Sequence, residues 1–145
     1  MKKILIVLLL CMPSILLAQK TFLDTTEEAK QICDAVMQNF VMKNINVAYD
    51  RLKPIAILNS EDIEKLKSQT IEQEPIITKR FGQPIDFLFV KAKEIEGVFI
   101  RYIYVLRHER YALRFQFDFY RGSDNKWGLS NFMWDDGLRT LLDEF

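Results

Sequence analysis

The hydrophobic positions of this chain change period once, near Gly82. Upstream, Ala29, Ile32, Cys33, Val36 and Phe40 recur three and four residues apart, the spacing of one helix face, and Thr25 with Glu28 forms a capping box ahead of them. This predicts a first helix from about Thr26 to Met42. A second, short helix carries Ile45, Ala48, Tyr49 and Leu52 behind an asparagine cap at Asn44 or Asn46, and Pro54, which has no amide hydrogen to donate, closes it. A third starts at Ser60. Ile63, Leu66 and Thr70 or Ile71 share its face, Glu61, Asp62 and Glu64 suit the positive end of its dipole, and Pro75 is expected to end or bend it.

Downstream the period becomes two. Ile85, Phe87 and Phe89 alternate in one strand, and Val98, Ile100, Tyr102, Tyr104 and Leu106 in the next. A third strand sets Tyr111, Leu113, Phe115, Phe117 and Phe119 on one side and Ala112, Arg114, Gln116, Asp118 and Tyr120 on the other, so one face is apolar and one polar. A fourth runs from about Lys126 to Trp134. Gly97, the segment from Arg107 to Arg110, and Gly122-Ser123-Asp124-Asn125 are the expected turns, and turns this short make the strands antiparallel neighbours. After Asp136-Gly137, Leu138 to Phe145 forms a short helix or a frayed tail. Helices followed by a meander give an α+β domain, with the helices packed on the apolar face of a curved four-stranded antiparallel sheet, a cone-shaped, cystatin-like roll.

Composition adds the compartment. Lys2 and Lys3 precede an apolar run from Ile4 to Leu10, and a second run ends at Ala18-Gln19, the pattern of a secretory signal removed after residue 18. Broken at Pro13-Ser14, the stretch is shorter than the roughly 20 apolar residues of a spanning helix. Residues 19–145 are then one exported domain, periplasmic or extracellular, with no integral membrane segment. Cys11 falls inside the leader behind Leu10, where a lipoprotein signal takes a small side chain, and Cys33, left alone on an apolar helix face, reads as a buried small hydrophobe. The 145 residues carry 20 basic and 20 acidic side chains, which excludes the usual basic nucleic-acid module, and 49% hydrophobic residues exclude a disordered chain.

The segment Tyr111-Ala-Leu-Arg-Phe-Gln-Phe-Asp-Phe-Tyr-Arg-Gly-Ser-Asp-Asn-Lys-Trp-Gly-Leu resembles the last hairpin of the nuclear transport factor two-like superfamily, where a tryptophan opens the closing strand. Phe81-Gly82 before the first strand and Asp135-Asp136 after the last are similar to its small secreted bacterial members. The resemblance covers about Thr26 to Asp136 and implies a cone closed on one side by helices. It implies no catalytic residue, because that superfamily holds isomerases, dehydratases and cyclases beside noncatalytic binding and dimerising modules.

Several side chains are candidates for chemistry. Arg101, Arg114 and Asp118 can meet across neighbouring strands, either as an anion site or as a salt-bridged face turned to solvent or to a second copy. Tyr49 can donate a proton over the cone mouth or can be core with its hydroxyl in water. Trp127, Phe132 and Trp134 can form a stacking platform or can pack. His108, in a turn between Arg107, Glu109 and Arg110, reads as a solvated side chain rather than a general base. Neither histidine and cysteine clusters nor glycine-punctuated acidic loops occur, so no metal or cofactor is expected. The expected role is a noncatalytic domain that binds a small apolar ligand or an envelope protein, with a homodimer through the outer sheet face. The alternative is a small isomerase- or hydrolase-like enzyme using Asp118, Tyr49 or His108 within the cone.

Overall fold

A computed structural model describes residues 20–143. The segment expected to be a leader, with Cys11, lies outside the described residues. The chain forms helices α1 (Thr26–Val41) and α2 (Ile45–Leu52), a 3-10 turn (Lys53–Ile55), helix α3 (Ser60–Phe81), strands β1 (Pro84–Ile95), β2 (Phe99–His108), β3 (Ala112–Arg121) and β4 (Trp127–Asp135), and helix α4 (Leu138–Asp143). The four strands make one antiparallel sheet in sequence order. The architecture is α+β, helices first and meander second.

α1 begins as its capping box dictates: the Thr25 hydroxyl accepts from the Glu28 amide at 3.1 Å, and the Glu28 carboxylate accepts from the Thr25 amide. The helix lays Ala29, Cys33, Val36 and Met37 against β1 and β2. Small side chains on the helix meet large ones on the sheet, where Tyr102, Tyr104, Phe115, Phe117 and Phe119 are buried in the core. Two of the tyrosines are tied down at their polar ends, Tyr104 donating to Asp34 at 2.6 Å and Tyr102 to the Thr26 carbonyl at 2.7 Å. Burial is the main reason that both phenols titrate above their ordinary value, Tyr102 at about 12 and Tyr104 further still. The Cys33 thiol is pushed up as well, first by its burial and then by the Asp34 charge, as fits an inert core side chain.

α3 does not end at Pro75 but continues to Phe81. Both its ends are fastened. At the start, the Asn59 side chain accepts from the Asp62 amide. At the finish, Arg110 in the β2–β3 turn donates its amide to the Phe81 carbonyl and its guanidinium to the Lys79 and Arg80 carbonyls, placing a cation on the negative end of the helix. Between these ends the helix is lightly packed, since only Ile63, Thr70 and Phe81 of its 22 residues are buried. Its close backbone neighbours belong to α2 rather than to the sheet.

The free edge of β4 is covered by two short pairings, Leu23 with Trp127 and Ala56 with Leu129, and the Lys20 ammonium holds the same linker by donating to the carbonyls of Ala56, Ile57 and Leu58. Trp127 is therefore packed in the core beside the chain's first described segment. β1 extends well beyond the predicted alternation, because an irregularity between Phe89 and Lys91 resets its register on β2.

Gly82 joins α3 to β1 at φ +85°, ψ −172°, a region that L side chains avoid, and a Cβ there would lie 2.7 Å from the Glu109 Cβ. Gly97 also has positive φ, but only Arg121 Nη1 stands near, at 3.8 Å. In urea unfolding, Gly82→Ala is expected to lose about 1–3 kcal/mol and Gly97→Ala about 1 kcal/mol; a neutral Gly82→Ala would contradict this account of the α3–β1 joint.

Candidate functional site

The light packing of α3 leaves an open cleft of about 610 Å³ between that helix, β4 and the start of β3. Its apolar wall comes from Leu66 and Ile77 of α3, Leu113 of β3, and Phe132 and Trp134 of β4. Ile76, 66% exposed, stands at the rim. At the floor, the Thr70 hydroxyl donates to the Leu66 carbonyl at 2.9 Å, and the Trp134 indole N–H donates to it at 3.0 Å. A hydroxyl has one proton, so the 2.6 Å contact with Tyr49 is a bond donated by the phenol. The Tyr49 hydroxyl therefore lies not in water but in a closed network that uses all of Thr70's capacity. Burial raises the Tyr49 pKa, and the Thr70 bond offsets part of that rise.

The charges around the cleft face one another. Arg80 Nη1 lies 3.6 Å from Asp136 Oδ2 while its guanidinium covers the Phe81 ring, and Asp135 accepts from Arg114 at 2.6 Å and from the Gly137 amide at 2.8 Å. Gln69 and Gln73 complete the α3 side with neutral amides. Such a cleft suits a molecule with apolar surface and little net charge.

The polar constellation read from the third strand assembles elsewhere. Register places Arg101 beside Asp118 and Asp118 beside Asn131, on the sheet face opposite Tyr102, Phe117 and Phe132. Arg101 grips the carboxylate with two bonds of 2.8 and 2.9 Å, and Gln116 and Asn131 donate to the same group at 3.0 and 3.3 Å. Asp118 is 4% exposed. Arg114 is not part of this group: it is bound to Asp135 and to Thr140 of α4, which folds over this end of β3 and buries Leu141. The outer face is thus partly closed by the chain's own C-terminal helix.

Of the side chains singled out by pattern, Tyr49, Phe132 and Trp134 line the cleft. Arg101 and Asp118 pair on the far face, Arg114 sits near the sheet end, and Trp127 packs against Leu23. The pattern places Thr70 or Ile71 on the apolar stripe of α3 but assigns no role to the Thr70 hydroxyl, which organises the floor. His108, expected to be a solvated turn residue, lies elsewhere. It is the last residue of β2 and is buried rather than solvated, because the turn it precedes is folded back to cap α3.

Among the described residues, no group of three histidine, cysteine or acidic side chains can hold a metal ion, and no helix is long and apolar enough to cross a membrane. Comparison with protein-family models, with curated proteins and with solved structures gives no match to this chain.

Asp118→Asn removes the charge on which Arg101, Gln116 and Asn131 converge. With Arg101 partly solvated, the expected loss is about 1–3 kcal/mol of stability, read as a lower unfolding midpoint, with the cleft unchanged in its indole environment. Unaltered stability would show that the network contributes nothing to holding the sheet.

Proposed function

We propose that this chain is an exported binding domain that holds a small, mainly apolar, uncharged molecule in the cleft under α3 without transforming it. The observation that carries the reading is the cleft itself: about 610 Å³ of space with apolar walls, a floor whose polar atoms already satisfy one another, and a rim whose charges are paired. Catalysis by proton transfer asks for an acid or base with a free position in reach of the substrate. Here the Tyr49 hydroxyl is engaged, Asp118 lies on the other side of the sheet, and His108 lines the small adjoining slot rather than the cleft that holds the body of a ligand.

The Lys2-Lys3 start and the apolar run to Leu17 support export, and the order of three helices and a meander supports the finer reading as a cone of the nuclear transport factor two-like class with the cleft at its mouth. A protein partner or second copy is the additional reading favoured by Ile85, Leu88 and Ile95, which are exposed along β1.

Native mass spectrometry of the protein purified from its own compartment tests the proposal. The expected result is an added mass that is lost on denaturation and is absent from Leu66→Trp, which fills the cleft from α3. Bare wild-type protein, or added mass retained by a folded Leu66→Trp, would overturn it.

A further inference from the structure

A second hollow lies under the same helix. It is a slot of about 40 Å³ that shares Thr70, Ile77, Leu113 and Trp134 with the cleft and is otherwise walled mostly by apolar side chains, among them Phe40 and Phe115. His108, the chain's one histidine, lines it. The ring is 8% exposed, and its Nδ1 stands 2.8 Å from the Gly82 carbonyl oxygen. A carbonyl can only accept, so Nδ1 carries the proton, and in the neutral ring Nε2 presents a lone pair. Nε2 is buried and has no hydrogen-bond partner among the described residues. A buried acceptor left in this state destabilises the empty protein, and a donor brought to it recovers the loss.

The surroundings select the donor. On the solvent side of the slot, Lys43 and Glu74 pair at 2.6 Å, and Glu74 also accepts from Thr78 at 2.7 Å. An anion would meet the Nε2 lone pair, with the nearest cation already held by Glu74. A cation would leave water for apolar walls, with the nearest carboxylate already held by Lys43 and Thr78. A neutral hydroxyl has neither cost. The slot is also small: it takes the hydroxyl-bearing end of a molecule, or water in its place, while the body of such a molecule needs the larger cleft.

We propose that His108 Nε2 is the specificity-determining acceptor of the ligand space under α3, and that the ligand is an apolar alcohol or phenol whose hydroxyl end enters the slot. The proposal rests on the reading of the cleft as a ligand site and adds the chemistry that site selects.

Two probes of one shape test it. 4-Ethylphenol and 4-ethyltoluene differ by a hydroxyl in place of a methyl group. Each is titrated into the purified protein by calorimetry, while the ¹⁵N resonance of His108 Nε2, unique in the chain, is followed by NMR. 4-Ethylphenol is expected to bind at least about tenfold more tightly and to move the Nε2 resonance, which 4-ethyltoluene leaves in place. His108→Asn sets an amide nitrogen where Nδ1 lies, which keeps the bond to the Gly82 carbonyl and deletes Nε2; it is expected to erase the preference and to keep the affinity for 4-ethyltoluene. Equal affinities with an unmoved Nε2 resonance would mean that water alone fills the slot, overturning the role of His108 and leaving the cleft reading intact. Binding of neither probe would overturn both.

Discussion

The fit of small side chains on α1 against the aromatic row of the sheet is the contact on which the rest of the molecule depends. Tyr102 and Tyr104 of β2 are buried beneath α1, where Ala29, Cys33 and Val36 let the helix lie close to β1 and β2, and Phe115, Phe117 and Phe119 of β3 continue the same core. Interiors tolerate neither voids nor overlap here, so the choice of large on one surface and small on the other fixes which strands α1 covers. The bonds from Tyr102 and Tyr104 to Thr26 and Asp34 then fix its register along the sheet.

That choice leaves the β3–β4 side to α3, and α3 is held in another way. Its start is capped by Asn59 and its end by Arg110, while its middle touches the sheet through the Thr70–Trp134 bond and a few partly buried side chains. A helix fixed at both ends over a surface of bulky rings bridges rather than packs. The hollow beneath it follows from that suspension, and so do its properties: apolar because the sheet face is apolar, and accessible because the helix face is largely polar.

Much of the frame was legible in the sequence. The capping box at Thr25, the alternation in β3 and the tryptophan-led last strand each state a local geometry that tertiary contacts do not override. Pro75, expected to end or bend the third helix, is carried within α3, which runs on to Phe81 with both ends fastened. His108, flanked by Arg107, Glu109 and Arg110, reads from the sequence as solvated because charge in a turn ordinarily means exposure, whereas His108 and Arg110 both bond to the end of α3 and the joint after it. Their role depends on a helix end more than 25 residues upstream, which no local pattern contains. The cleft was illegible for the same reason: a cavity is a mismatch between two elements, and each of them looks ordinary alone.

The central claim is that α3 spans an underfilled layer in which a ligand can lie. Amide hydrogen exchange tests it most directly, residue by residue, with and without 4-ethylphenol. The account predicts that amides of α3 around Gln69–Thr78 open more readily than those of α1 around Cys33–Phe40, and that the probe slows the former and leaves the latter unchanged. Equal protection of the two helices, with no response of α3 to the probe, would contradict it.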